Sequence, residues 1–305
     1  MKTNKTSLLM LFAVLAMSSV WQTTLAQNAA IQKPSADVKT DTRILYHNGP
    51  LMTGSPDVYV IWYGCWTDTC GNAGDTATQF IVTDFISNVG GSPYLQINAT
   101  YPDTQGQTPS GAILYGGAAL DHYSHGLELT DVDIQGIVAD QILGAGLPLD
   151  PSGIYLILAS ADVSSSATGF CQASAQPHHG RGMVLGTDFK YGFVGNPARC
   201  PAIGAPQFVA KDGSRLPTPN GNFGADGMTN TIAHLLDVIV TNPYGGGWFD
   251  KYGLENADKC AGTFGQTYTT VNGARANMKL GYRDYLLQQN WVNDRKGHCA
   301  LNSTL

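Results

Sequence analysis

Two short stretches of the chain are apolar at every position: Val58-Tyr-Val-Ile-Trp-Tyr63, bounded by Pro56 and Gly64, and Ile154-Tyr-Leu-Ile-Leu-Ala159, bounded by Gly153. Continuous runs of β-branched and aromatic residues of this length fit strands covered on both faces. Elsewhere the apolar positions recur at helical spacing. Ile81, Phe85 and Val89 line one side of a helix predicted from about Gln79 to Val89. Ile134, Ile137, Val138 and Ile142 line another, with Thr130 as its N-cap and acids at Asp131 and Asp133 in the first turn. A third helix is predicted from about Gly227 to Thr241, capped by Asp226 and stopped by Pro243. At about 100° per residue, Ile232, Leu235, Leu236, Ile239 and Val240 form its apolar stripe. Asn230, His234, Asp237 and Thr241 form a narrow polar stripe on the other side.

Long connections rich in Gly, Ser and Asn separate these elements, notably Gly90 to Pro109 and Gly182 to Gly224. Loops of that length are functional or tied down. No repeat and no linker-like shift in composition divides the chain. The pattern predicts one α/β domain, with α+β as the alternative: a mixed β-sheet with packed helices, running from residue 44 to 305 after a flexible polar lead-in over 27–43.

Charge and cysteine content narrow the setting. Lys2 and Lys5, the apolar run Leu8 to Met17 and the small residues before Ala26 make residues 1–26 read as a secretory signal peptide. Ten apolar residues cannot cross a hydrocarbon core of ~30 Å, and no later run reaches the ~20 needed, so no membrane span is expected. Without residues 1–26 the chain holds 15 basic and 23 acidic groups, a net charge of −8. With no basic patch to neutralise phosphates, nucleic acid is not an expected partner. Six cysteines in an exported chain point to disulfides, and none forms a Cys-x-x-Cys pair. Fifteen pairings are open; neighbours in sequence suggest Cys65–Cys70, Cys171–Cys200 and Cys260–Cys299, the latter two closing long loops worth about 3 kcal/mol each. Asn98-Ala-Thr100 and Asn302-Ser-Thr304 fit the N-glycosylation pattern, which matters in a eukaryote.

His234 is the one histidine in a predicted helix, and its stripe reads in two ways: the wet face of an amphipathic helix, or a face displaying ligands into a cleft. On the wet-face reading, His234→Ala leaves the melting temperature nearly unchanged. A zinc-hydrolase helix needs a second ligand at i+4 and a general base at i+1. Those positions hold Val238 and Leu235. Asp237 shares the face of His234 and could substitute as a ligand. His178 and His179, or Glu255 and Asp258 from downstream, could complete a shell, giving a zinc site without a positioned base. His122 and His125 read as loop hydrogen-bonding residues. No Gly-x-Ser-x-Gly elbow, phosphate loop or dinucleotide loop occurs.

Several short motifs, in order, carry a family likeness. Ile44-Leu-Tyr-His-Asn-Gly-Pro-Leu51, Val60-Ile-Trp-Tyr-Gly64, Tyr123-Ser with Leu127-Glu-Leu-Thr130, Ser160-Ala-Asp-Val163, Gly169-Phe-Cys171, His179-Gly180, Val194-Gly-Asn196 with Cys200-Pro201, Asp226-Gly-Met228 and Thr241-Asn-Pro243 resemble the EXORDIUM family, also called phosphate-induced or phosphate-responsive proteins. The likeness runs from Ile44 to Cys299. It implies a secreted, extracellular protein, of the cell wall or apoplast in plants, associated with growth and with no established enzymatic activity. The chain departs from the plant pattern at Cys65–Cys70, at His234 and at Gln176-Pro-His178, as a divergent member would. From His234 to Cys260 it is also similar to bacterial relatives whose helix carries His-Glu-x-x-Glu, which implies a zincin-like scaffold with a decayed centre. The expectation is a monomeric, non-catalytic protein that binds an extracellular polysaccharide or protein and needs no cofactor. The alternative is a zinc-dependent metallohydrolase using His234.

Overall fold

The computed structural model describes residues 43–303 except 72 and 173–176. The expected signal peptide, the lead-in up to residue 42 and Thr304 lie outside the described residues. Eight elements position the site: β1 (Asp57–Tyr63), α1 (Thr76–Val89), β2 (Leu114–Asp121), α2 (Asp131–Leu143), β3 (Ile154–Ala159), β4 (His178–Val184), β5 (Thr187–Gly195) and α3 (Phe223–Thr241). The five strands form one sheet in the order β2-β1-β3-β5-β4. β2, β1, β3 and β5 are parallel, and only the edge strand β4 runs against its neighbour. The fold is α/β with a mixed sheet, as the alternation of apolar runs and helical spacing predicts.

The alternation of side chains along a strand sends β1 to two cores at once. Val58, Val60 and Trp62 pack with α1 and α3 on one face of the sheet, whereas Tyr59, Ile61 and Tyr63 pack with α2 on the other. The chain leaves β1 through α1 to β2 and returns through α2 to β3 on the far side of β1. In open sheets of this kind ligands bind beyond the carboxyl ends of the strands, where the order reverses.

Local chemistry sets the helix starts, and two differ from the spacing. Thr130 caps α2 with a full capping box closed by Asp133, as expected. α1 begins at Thr76 rather than Gln79, because Asp75 accepts from the Thr78 N–H ahead of the first apolar position. α3 begins at Phe223, capped by Asn222. Asp226 is therefore no cap: it is buried in the first turn and bonded to Asn220.

The connection from Gly182 to Gly224 is not all loop, since it contains β5 and the end of β4. The hairpin turn is Leu185-Gly186, both at positive φ between the paired Val184 and Thr187, an arrangement that Asn-Gly would have advertised and Leu-Gly hides. In β4, Gly180 and Gly182 lie under the rings of Tyr191 and Phe189: a Cβ on Gly182 would stand 2.2 Å from the Phe189 ring.

Cys65–Cys70, Cys171–Cys200 and Cys260–Cys299 are bonded, with Cα atoms 5.6–5.7 Å apart. The second bond ties the approach to β4 to the exit of β5. The third ties a 3₁₀ turn at Ala257–Cys260 to the strand His298–Ala300. No helix among the described residues is long and apolar enough to cross a membrane.

Asn98 corrects the expectation of a glycan there. Its side chain is fully buried and its amide is bonded to Asp237, so the folded chain leaves no room for a sugar. Asn302 is exposed, and its acceptor triplet ends outside the described residues.

Candidate functional site

The polar stripe of α3 faces protein rather than water. His234 is 2% exposed, and Asp237 and Thr241 are fully buried, which overturns the wet-face reading. Three pieces of chain cover the stripe: the 3₁₀ turns Leu95–Thr100 and Ala257–Cys260 and the strand Asn290–Val292. They bring amides and carboxylates to meet it.

Both ring nitrogens of His234 are occupied. Nε2 lies 3.2 Å from Asp258 Oδ1, and Nδ1 lies 2.9 Å from Gln288 Nε2. The same Gln288 nitrogen donates to the Ala257 carbonyl at 3.0 Å. A carbonyl only accepts, so the amide presents its NH₂ end, Nδ1 is the acceptor, and the ring proton sits on Nε2 toward Asp258. Burial pushes the Asp258 carboxyl up, but the bonds from His234 and the Glu255 N–H outweigh it and hold the group below its ordinary range.

Asp237 does not turn toward His234, although both lie on one helical face. Its Oδ1 accepts from Asn98 Nδ2 at 2.7 Å. Asn256 Nδ2 joins the Asp237 carbonyl to Asn98 Oδ1, which Asn290 Nδ2 also approaches. The Tyr94 hydroxyl lies against the same carboxyl. Complete burial outweighs these bonds and pushes Asp237 up to about 7. This group is a buried acid fastening α3 to two turns and a strand.

His178 and His179 part company because successive β-strand side chains point to opposite faces. His178 Nε2 meets Asp131 Oδ1 at 3.1 Å, and that bond, with one from the Tyr191 hydroxyl, carries Asp131 down to about 2 against the effect of burial. His179 Nε2 meets Glu255 Oε2 at 2.9 Å, and Glu255 Oε1 accepts from Asn242 Nδ2. Burial pushes His179 down, yet the charges of Glu255 and Asp258 raise it above its ordinary value. Glu255 thus serves His179 while Asp258, three residues on, serves His234. Among the described residues no three His, Cys, Asp or Glu side chains are arranged to hold a metal.

Two clefts flank this network. One, of about 470 Å³, opens beyond the carboxyl end of β5. Phe170, Phe193 and Phe264 form its walls, Asn230, His234 and Gln288 line it from the network side, and among the described residues no Asp, Glu, Lys or Arg lines it. Its volume falls within the roughly 300–1,000 Å³ of small-molecule sites. Gln207 lines it too, with a buried Nε2 that has no partner among the described residues. The other, of about 400 Å³, is lined by His179, Arg181, Asn242, Tyr244, Phe249 and Glu255.

Sequence reasoning singles out His234, Asp237, His178, His179, Glu255 and Asp258 as members of one possible shell, and the structure distributes them over separate pairs: His234 with Asp258, His179 with Glu255, His178 with Asp131 and Asp237 with Asn98. It reads Asn98 as a glycan acceptor and misses Gln207, Asn256, Gln288 and Asn290, because they come from distant turns and a distant strand. The one local hint was the polar Gln288-Gln-Asn290 directly behind the apolar Tyr285-Leu-Leu287.

Residues 44–291 match the conserved region of phosphate-induced protein 1. The chain is 30% identical to Protein EXORDIUM-like 5 of Arabidopsis thaliana over 85% of its own length and 77% of that protein's. It is 31% identical to Protein EXORDIUM of the same plant over 79% of each. It is 26% identical to Protein PHOSPHATE-INDUCED 1 of Nicotiana tabacum over 84% of this chain and 82% of that one. No solved structure matches. Spanning most of each relative and matching the conserved region over residues 44–291, the chain belongs to the EXORDIUM, or phosphate-induced protein 1, family.

Proposed function

We propose that the protein is a secreted, wall-associated binding protein without catalytic activity, and that the 470 Å³ cleft receives a neutral segment of an extracellular polymer. A growth-related role comes with the family resemblance. The observation that carries the binding reading is the cleft's composition: aromatic walls, amide and imidazole groups on the network side, and no Asp, Glu, Lys or Arg among the described residues. Rings offer flat faces to sugar rings, and the unpartnered Gln207 Nε2 offers a donor to a ligand oxygen. The same geometry argues against a zinc hydrolase on a zincin-like scaffold. A ligand histidine needs a free nitrogen and a base needs an open acceptor, but His234 gives one nitrogen to Gln288 and the other to Asp258. Leu235 and Val238, at the base and second-ligand positions, are in the core.

The test is calorimetric titration of neutral wall oligosaccharides into the wild type, Gln207→Ala and Phe264→Ala. The reading expects saturable binding, weakened at least about tenfold, or 1.4 kcal/mol, in both variants. Gln207→Ala should melt with the wild type, because the Nε2 it removes has no partner among the described residues. Absence of binding, or binding that both variants retain, contradicts it.

A further inference from the structure

The second cleft is built differently, and the binding reading above does not use it. β4 turns His179 and Arg181 toward the end of α3, while Gly180 and Gly182 let Tyr191 and Phe189 cross the other face. Immediately after α3, the Asn242 side-chain oxygen accepts the Gly247 N–H at 2.6 Å, closing a Gly-rich loop that carries Tyr244. The Tyr244 ring lies near two cations, with Arg181 Cζ 5.7 Å and Lys190 Nζ 5.6 Å from its centroid. Lys190 is committed, being buried and bonded to the Pro151 carbonyl. Arg181 is exposed and meets no acceptor among the described residues. A guanidinium over a ring keeps its in-plane N–H groups for a carboxylate.

A second observation in the same cleft points to a ligand. His179 Nδ1 is buried without a partner among the described residues, while its Nε2 is held by Glu255. Among the described residues Glu255 is the one carboxylate lining the cleft, and both its oxygens are occupied, by His179 and Asn242. Glu255 is therefore already committed, and the group left without an acceptor among the described residues is the Arg181 guanidinium. We propose that this cleft binds a single carboxylate, with Arg181 as its principal partner, and that the carboxylate belongs to a uronate unit within an otherwise neutral glycan. A fully anionic polymer is disfavoured by the net charge of −8 that the chain carries without residues 1–26 and by Asp188 beside Tyr244 and Lys190. Choosing a uronate over an acidic peptide side chain rests on the polymer reading; the anion site itself does not.

The experiment titrates three probes into the full secreted chain: a neutral oligosaccharide, the same oligosaccharide bearing one uronate, and an acetylated aspartyl peptide. The uronate probe is expected to bind at least tenfold more tightly than the neutral one, and the difference should shrink in high salt. Arg181→Ala should abolish that difference and Arg181→Lys should restore part of it, both melting with the wild type because the side chain is exposed. Equal binding of the neutral and uronate probes, or an unchanged preference in Arg181→Ala, overturns the anion site. Tighter binding of the peptide overturns the glycan assignment. Neutral binding that Gln207→Ala fails to weaken counts against the first cleft alone.

Discussion

At the scale of single residues, the chemistry of α3 lies in what its polar side chains are already bonded to. Asp237 is an acid whose ionisation burial opposes, with a folded pKa of about 7 against about 3.9 in an unfolded chain. Between those values the folded protein holds a proton that the unfolded chain has released. Stability therefore falls as pH rises from about 4 to about 7 and levels off above. Asp237→Asn keeps the acceptor for Asn98 and removes the titration. Urea unfolding across that range should show the decline in the wild type and a flatter profile in the variant, which should be the more stable of the two at neutral pH; parallel profiles would refute the assignment. His234→Ala, harmless on a wet face, should instead cost about 3 kcal/mol, because it strands the Asp258 carboxylate, only 12% exposed, and a buried Gln288 amide. A loss below about 0.5 kcal/mol, the ordinary surface effect, would mean that the network is not formed.

At the scale of elements, legibility followed how local the cause is. β1 and β3 could be read directly, because strands covered on both faces must be apolar throughout. α2 could be read because its cap and its capping acid are neighbours; Thr130→Ala should cost about 1 kcal/mol in thermal unfolding, and no change would deny the box any role. β4 and β5 were hidden. Their glycines are explained only by rings on the partner strand, and buried Lys190 interrupts the apolar pattern for the sake of the distant Pro151 carbonyl. The polar face of α3 misled for the same reason: an amphipathic helix and a helix buried against polar partners share one periodicity, and only the turns at Asn98 and Asn256 and the strand at Asn290 distinguish them.

At the scale of the whole molecule, the mixed sheet puts an aromatic cleft beyond the carboxyl end of β5, and the buried polar network of α3 borders it through Asn230, His234 and Gln288. The sequence showed that His234 lacks the base and second ligand of a zinc helix; the fold adds that His234 itself has no nitrogen to spare. That is the central claim, and long-range ¹⁵N–¹H spectra of the labelled protein test it most directly, with the His234 ring identified by its loss in His234→Gln. One protonated nitrogen, Nε2, and one acceptor, Nδ1, unchanged when excess zinc is added, is the result predicted. Zinc-dependent shifts at either His234 nitrogen, accompanied by hydrolysis that a chelator abolishes and zinc restores, would contradict the account.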